Sequence, residues 1–493
     1  MSRKYGVVVL LVLSFFTALI LAGCGSSNQL APRPVGNFTN ANFSGTYAFI
    51  VSGTNAGGFF TFAGSVQADG NGHITAGTLD INSPGTTTPL LNLSMTGTYI
   101  VHADGRGTAT LNPNGSNAFT LDFILLNNQH AFVVRFDNVA TGSGSMDQQN
   151  SSAFNLTSLA GNFAFNISGV DAAQNPESTA GVFTVTSAGS ITTGLQDTAD
   201  NGVIANGGGT GDPVSSGSMS SPAGGNGRGT LTISTGGTGT RNFAYYVISS
   251  TQIRMIETDS SPVLSGDAFN QPSTSITGNF AFTASGSTGV VPFAVGGIID
   301  TDGSGNVVSP SVEDANAGGT INTGVALSGA FSSAANGRRT LSMNGASINY
   351  AVYPSSGGLQ LLRIDPGFTA SGAAFQQTGP FSTSAINGRF GGSLTGVDLN
   401  FGIEFDALTQ FTADGNGRIT GAMDLNNSGT VTTGLALSGS YSLDSSGRSS
   451  AAAGALNTAA RGQTVVFYAI SSSRVLFIEI DSSVAVGAFA QQQ

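Results

Sequence analysis

A short pattern that recurs four times constrains the fold of this chain more than any other feature. The sequence GTYAF at 45–49 returns as GNFAF at 161–165 and at 278–282, and more loosely as GRFGG at 388–392. Each copy opens a stretch that closes on glutamine, at 148–149, 271, 376–377 and 491–493. Because a repeated unit determines the architecture of the whole chain, internal repeats are considered before local sequence patterns. We therefore divide the chain into unit 1 (43–149), unit 2 (158–271), unit 3 (275–377) and unit 4 (385–493).

Each unit is predicted to be all-β. In unit 1 the alternation of apolar and polar residues and the Asp-Gly turns predict eight strands, near 45–53, 58–68, 73–82, 90–103, 106–112, 117–126, 130–137 and 142–149. Eight sequential strands with short turns form an antiparallel meander, which loses its edges by closing into a small β-barrel. A β-sandwich is the alternative, because turns and strand number alone do not decide closure. Turn-rich linkers near 150–158, 272–275 and 378–385 predict that single units fold alone, whereas a solenoid would unfold as one array.

The first 24 residues carry a leader. Arg3 and Lys4 precede an apolar run from Val7 to Ile20, and Leu21-Ala22-Gly23-Cys24 follows. This end resembles the lipobox of bacterial lipoproteins. The resemblance implies that residues 1–23 are a signal peptide, that Cys24 receives acyl chains, and that residues 24–42 are a polar tether. Gly25 after the cysteine implies the outer membrane or cell surface. An uncleaved transmembrane anchor is the alternative, since the run approaches the length of about 20 residues that spans a bilayer.

The units also loosely resemble calycin and avidin barrels. The resemblance rests on the Gly-x-Tyr/Phe first strand and on Arg135 or Arg363 in the seventh strand, and it implies that this late basic residue packs near the first-strand aromatic. Units 2 and 4 have Glu257 and Glu479 instead, and the chain has no tryptophan. No ligand is carried over from those families.

The charge balance argues against nucleic acid as a partner. The one lysine, Lys4, and Arg3 lie in the leader, so the 16 basic residues of the whole chain fall to 14 against 27 acidic ones. A lysine-free acidic surface offers no electrostatic attraction to phosphate backbones. The expected partners are membrane lipid, through acylated Cys24, and an extracellular glycan or protein.

Acidic residues recur at two places in every unit. One lies near the end of the third strand (Asp80, Asp197, Asp314, Asp424), and the other near the end of the seventh (Asp137, Asp259, Asp365, Asp481). Paired carboxylates are typical of glycoside hydrolases, which gives the enzymatic alternative. A residue repeated in every unit more often serves the fold, here as a strand-end cap. The Asp-Gly-Asn-Gly turns at 69–72 and 414–417 lack the terminal carboxylates of a calcium loop and are predicted to be hairpins.

The chain has three histidines, His73, His102 and His130, all in unit 1. A meander would place them on one rim, with His73 and His102 as cross-strand neighbours. Imidazoles are common metal ligands, but scattered rim histidines are usually solvated. The sequence therefore predicts no metal site and no cofactor, and these three residues are the candidates if a metal binds.

The loops after the odd-numbered strands differ among units and are the predicted binding surface. Unit 2 carries the longest ones, at 170–177 and 197–216, whose acidic residues are Asp171, Glu177, Asp197, Asp200 and Asp212. A scaffold with one conserved and one variable rim is typical of loop-borne recognition. We expect a non-catalytic surface lipoprotein with a binding, adhesive or spacer role, and a hydrolase of extracellular glycans is the alternative.

Overall fold

The computed structural model describes residues 36–493 apart from 85–87, 206–209, 290, 344–347, 450–453 and 459–461. The leader, Cys24 and most of the tether lie outside the described residues. Unit 1 forms eight strands, Ser44–Asn55 (β1), Gly58–Asp69 (β2), His73–Asn82 (β3), Leu90–Val101 (β4), Arg106–Pro113 (β5), Phe119–Leu125 (β6), His130–Arg135 (β7) and Ala140–Gln148 (β8). Each strand pairs antiparallel with the next, and β8 returns to pair with β1. The predicted barrel is confirmed, and the sandwich alternative is wrong.

The other units repeat this meander. Unit 2 comprises Gly161–Val170 (β9), Pro176–Val185 (β10), Ser190–Asp200 (β11), Val203–Ile204 (β12), Asp212–Met219 (β13), Arg228–Thr235 (β14), Gly239–Ser249 (β15), Gln252–Glu257 (β16) and Val263–Asn270 (β17). Unit 3 comprises Phe280–Ser287 (β18), Pro292–Thr301 (β19), Asn306–Ala317 (β20), Thr320–Ala326 (β21), Gly329–Phe331 (β22), Arg339–Met343 (β23), Ile348–Ser355 (β24), Gly358–Arg363 (β25) and Thr369–Gln376 (β26).

Unit 4 comprises Asn387–Asp398 (β27), Ile403–Asp414 (β28), Arg418–Asn427 (β29), Thr430–Ser440 (β30), Ala455–Asn457 (β31), Gly462–Ser471 (β32), Arg474–Glu479 (β33) and Val484–Gln492 (β34). All four units are closed eight-stranded barrels, because β10 pairs with β11 and β19 with β20 as well as with their other neighbours. The extra strand β12 is a short hairpin on β11, and in unit 3 the fourth strand is divided into β21 and β22. Within the described ranges, no helix is long and apolar enough to cross a membrane.

The hairpin after the second strand has the predicted turn chemistry. The Asp69 carboxylate accepts hydrogen bonds from the backbone N–H groups of Asn71 (2.7 Å) and His73 (3.0 Å). Gly70 and Gly72 adopt positive φ angles of 79° and 108°, which residues with a side chain rarely adopt. Asp302 and Asp414 form the same turn in units 3 and 4. The backbone donors lower the pKa of Asp69 and Asp414, and the Asn306 side chain and then the backbone donors lower that of Asp302. The hairpin interpretation is confirmed.

Apolar side chains fill the inside of each barrel, as in the unit 1 core around Phe49, Phe62 and Phe123. Arg135 closes one end of this core, with its guanidinium 5.1 Å from the ring centre of Phe60 and an ion pair to Asp137. The first-strand Tyr47 instead donates a hydrogen bond to the Asn128 carbonyl, at the other end of the barrel. The calycin-like prediction that the late arginine packs near the first-strand aromatic is therefore wrong.

The outer walls of the barrels carry a second set of apolar clusters, and these join the units. Ile50 and Ala63 of unit 1 pack with Tyr246 and Ile256 of unit 2, and equivalent clusters join units 2 and 3 and units 3 and 4. A fourth cluster packs Leu408 of unit 4 among Ile124, Leu126, Phe132, Val134 and Phe136 of unit 1. Because the last barrel contacts the first, the tandem array closes into a four-membered ring.

Candidate functional site

The aspartates of the third strands lie between barrels. Asp80 of unit 1 accepts two hydrogen bonds from Arg228 of unit 2, each 2.7 Å long, and one from the Tyr246 hydroxyl. Two further junctions repeat this triad, as Asp197 with Arg338 and Tyr353 and as Asp314 with Arg448 and Tyr468. The carboxylate of each unit binds the arginine of the next, a role that the strand-end prediction missed, although Asp80, Asp314 and Asp424 also accept a backbone N–H of their own unit.

The junction between units 4 and 1, which closes the ring, has a different set of residues. Asp424 of unit 4 accepts from Arg106 of unit 1 at 3.0 and 3.2 Å, and Arg106 also donates to Asp104. Ile124 stands where the other junctions have tyrosine, as the strand pairing of Arg106 with Ile124 shows. Buried Asp122 lies nearby, and burial raises its pKa to about 7 although the Thr108 hydroxyl donates to it.

The glutamine that ends each unit also binds the next barrel. The side-chain amide of Gln149 donates to carbonyls of unit 2 at 226 and 247, and Gln271 and Gln377 do the same in units 3 and 4. Gln493, the last residue, donates to the Asp104 and Leu125 carbonyls of unit 1, each at 3.0 Å. These contacts place the linkers, residues 36–38, Gln493 and the turns after the second, fourth and sixth strands of the units on one face of the ring, the linker face.

The aspartates of the seventh strands serve their own barrels. Asp137 accepts from the backbone N–H groups of Val139 and Ala140 and from Arg135. Asp259, Asp365 and Asp481 each accept from one backbone N–H near the start of the sixth strand of their own unit. The donors are Asn242, Asn349 and Thr464. The two sets of carboxylates that suggested a hydrolase are therefore engaged in separate structural contacts.

The three histidines are not brought together. His73 pairs across strands with Thr98, so the prediction that it neighbours His102 is wrong. His130 lies 2.7 Å from Asp147 through its Nδ1 atom. Among the described residues, no group of three or more His, Cys, Asp or Glu side chains is arranged to hold a metal ion.

The acidic residues of the unit 2 loops occupy three different environments. Asp197 is buried in the junction with unit 3, Asp171 accepts backbone hydrogen bonds within its own turn, and buried Asp212 accepts from the Gly237 N–H of a neighbouring turn. Glu177 is buried and ion-paired with Arg241. Burial, and to a smaller extent the nearby charge of Asp200, raises the pKa of Glu177. Asp171, Glu177 and Asp200 lie at the ends of the strands opposite the linker face, and a binding role for the loops stays a prediction.

A cavity of about 660 Å³ opens at the centre of the ring on the linker face, and all four units line it. We name it the axial basin. A second cavity of about 510 Å³ shares Phe132, Phe269, Phe375 and Phe489 with the first, and the axial basin comprises both cavities. The walls are the outer surfaces of the first, seventh and eighth strands.

One side of the basin carries a charged network between units 1 and 2. Arg254 is fully buried and pairs with Asp147, while Asp267 lies 3.5 Å away. Burial would raise the pKa of Asp147, but Arg254 and His130 outweigh that effect and lower it. Burial raises the pKa of Asp267 despite Arg254. This side of the basin therefore holds two carboxylates, Asp147 and Asp267, around the guanidinium of Arg254.

The basin positions do not repeat, in contrast to the junction positions. At the end of the eighth strand the four units present Asp147, Phe269, Phe375 and Gln491, and at the start of the seventh they present His130, Gln252, Gly358 and Arg474. Sequence reasoning missed these residues, because no pattern in one unit signals a cavity that four units enclose. The one sequence signal is that phenylalanines stand on outward positions of the eighth strands.

No known protein-family profile matches this chain, and no curated protein matches it. Among solved structures, the chain is similar to the isotype 1 transferrin binding protein B from serogroup B Neisseria meningitidis. The identity is 10%, the TM-score is 0.23, and the match covers 73% of this chain and 83% of that one. A similarity of this size carries no argument about function.

Proposed function

We propose that this protein is a lipid-anchored surface lipoprotein that binds an extracellular glycan or protein segment, without catalysis, in the axial basin. The observation that carries the proposal is the basin itself, a cavity lined by all four barrels while side chains fill the inside of each barrel. Its volume falls in the range of about 300 to 1,000 Å³ that is typical of ligand sites.

The ring favours binding over a spacer role. Four barrels in a line would extend far from the membrane, whereas a closed ring places them side by side. The junction residues recur because each set joins one barrel to the next, whereas the basin residues differ from unit to unit. A scaffold of repeated contacts around one unrepeated cavity is suited to recognition.

The proposed anchor joins the ring on the linker face. Gly36, the first described residue, packs against the Ala103 carbonyl of unit 1, and the Phe38 N–H donates to the same carbonyl. The twelve residue steps from Cys24 to Gly36 span at most about 43 Å when fully extended. Under this proposal the basin opens on the anchored side, and the variable loops of unit 2 face away from the membrane.

The binding proposal is tested by filling the basin. Ala373 lines the second cavity and is half-buried, so Ala373→Trp should obstruct it, and Ala334→Trp in an exposed turn is the matched control. Saturation-transfer NMR would screen cell-wall oligosaccharides, extracellular glycans and peptides against a soluble form that begins at residue 36. We expect a ligand that binds the parent and the control but not Ala373→Trp. Equal binding to both variants would remove the basin from the site, and no binding to the parent would favour a spacer.

The anchor needs its own test. Cys24→Ser should leave the precursor uncleaved and unlabelled by radioactive palmitate. Normal trimming and labelling of this variant would contradict the lipoprotein proposal.

A further inference from the structure

Arg474 stands out among the buried and half-buried arginines that the structure describes. It is half-buried in the basin wall, its Nε has no hydrogen-bond partner, and no carboxylate lies within ion-pair distance. Burial lowers its pKa, and no neighbouring charge opposes that effect. A desolvated charge without a partner is unfavourable and is typically retained at sites that bind a charged group.

The surroundings of Arg474 are aromatic. Its guanidinium carbon lies 5.2 Å from the ring centres of both Phe375 and Phe489, which is within the range of cation–π contact. Phe489 makes an edge-on contact with Phe132 at 5.7 Å and with Phe375 at 6.0 Å. Rings from units 1, 3 and 4 thus form a continuous apolar wall next to one cation.

The acidic groups of the basin do not neutralise this cation. Asp147 is paired with Arg254 and His130, and Asp267 lies beside Arg254. Both carboxylates are thus engaged with Arg254, and among the described residues Arg474 has no ion-pair partner. A guanidinium offers several N–H donors in a plane, a geometry that suits a carboxylate.

We propose that the axial basin takes an organic acid with an apolar body, whose carboxylate pairs with Arg474 while the body packs on Phe375, Phe489 and Phe132. This inference rests on the proposed function and names the ligand class. The carboxylate belongs either to a free small acid or to the end of a longer chain, and both present the same group to Arg474.

The test compares an acid with its neutral counterpart. 4-Phenylbutanoate and 4-phenyl-1-butanol share an apolar body, and their binding to the soluble ring is measured by calorimetry or NMR titration. Arg474→Gln should weaken binding of the acid at least about tenfold and leave the alcohol unchanged, since a hydrogen-bonded ion pair is lost. Arg474→Lys should restore part of the affinity. Arg418→Gln, an exposed arginine at the start of β29, should change neither.

Two further measurements keep this test decisive. Arg474→Gln removes a charge without a partner, so its unfolding midpoint should equal or exceed that of the parent. An acetyl peptide that ends in phenylalanine, compared with its C-terminal amide, distinguishes a chain end from a free acid.

The outcomes separate the two proposals. Equal binding of acid and alcohol by the parent, or an equal loss of both in Arg474→Gln, would overturn the organic-acid inference. If neither probe binds while another ligand is blocked by Ala373→Trp, the inference is wrong and the basin remains the site. If no ligand responds to Ala373→Trp, both proposals fail.

Discussion

The three junctions that follow a linker differ from the one that closes the ring. Each linked junction buries one carboxylate, one arginine and one tyrosine hydroxyl, so charges and donors are matched. The closing junction replaces the tyrosine with Ile124 and gathers Asp104, Asp122 and Asp424 around Arg106. At the position of Asp122 the other units have Ala244, Ala351 and Val466, as the strand pairing shows.

A second carboxylate distinguishes the closing junction. Asp406 of unit 4 is fully buried against unit 1 and accepts from the Thr141 hydroxyl at 2.7 Å, and burial raises its pKa to about 6. The first two units have Thr61 and Ser178 at this position, and the third has Ala294. The comparison teaches that the junction without a linker buries two carboxylates of raised pKa, Asp122 and Asp406, at positions where the other units have uncharged residues. We expect its stability to depend on pH more than that of the others.

Removing the central carboxylate should separate the two kinds of junction most strongly. Asp80→Ala leaves Arg228 and Tyr246 without their acceptor, and breaking a buried ion pair costs about 3 to 5 kcal/mol. Asp424→Ala should cost less, about 1 to 3 kcal/mol, because Arg106 keeps Asp104. Urea unfolding followed by circular dichroism measures both, with Asp302→Ala in an exposed turn as the control. A larger loss for Asp424→Ala would contradict the assignment of Asp104 as a second partner.

Asp122→Ala should stabilise the ring in a pH-dependent manner. The folded state keeps the Asp122 proton up to about pH 7, whereas the unfolded chain loses it near the ordinary value of 3.8. Between these values the folded state binds more protons, so the free energy of unfolding falls as pH rises.

The variant lacks this penalty and should exceed the parent by about 2 to 3 kcal/mol at pH 8 and differ little at pH 4. Unfolding midpoints at the two pH values provide the measurement, and Asp259→Ala is the comparison in a linked barrel. A gain that does not change with pH would show that Asp122 is not protonated in the folded ring.

The glutamine that ends each unit allows the two kinds of junction to be compared with the same substitution. Gln377→Ala removes two hydrogen bonds across a linked junction, and Gln493→Ala removes two across the closing one. Each should cost about 1 to 2 kcal/mol. Limited proteolysis should then cut Gln493→Ala faster than Gln377→Ala, because only the former loosens a junction that no linker holds. Equal rates would argue that linkers contribute nothing to closure.

The tyrosine hydroxyls should give the smallest effects. Tyr246→Phe, Tyr353→Phe and Tyr468→Phe each remove one hydrogen bond to a carboxylate that keeps its arginine, and each should cost about 1 kcal/mol. The closing junction has no hydroxyl to lose at Ile124. Agreement of the three thermal shifts within error would support equivalent linked junctions, and a near-zero shift at one of them would exclude it from the pattern.

The barrels were predictable from the sequence, and the ring was not. Strands and hairpins follow from local alternation and from turns such as 69–72, whose hydrogen bonds join residues two to four positions apart. Arg106 and Asp424 lie 318 residues apart, and no local pattern pairs them. The recurring aspartates, arginines and glutamines were visible, but a feature repeated in every unit serves equally to build the unit or to join it to the next. The axial basin was hidden for a further reason, since its residues do not recur.

The central claim is that the four barrels close into a ring, and small-angle X-ray scattering of the soluble form from residue 36 tests it most directly. A compact chain of this length has a radius of gyration of about 23 Å, whereas four barrels of about 13 Å each in an open line give about 32 Å. We predict a value near 23 Å at pH 5. A value near 32 Å under the same conditions would contradict the ring, and with it the axial basin.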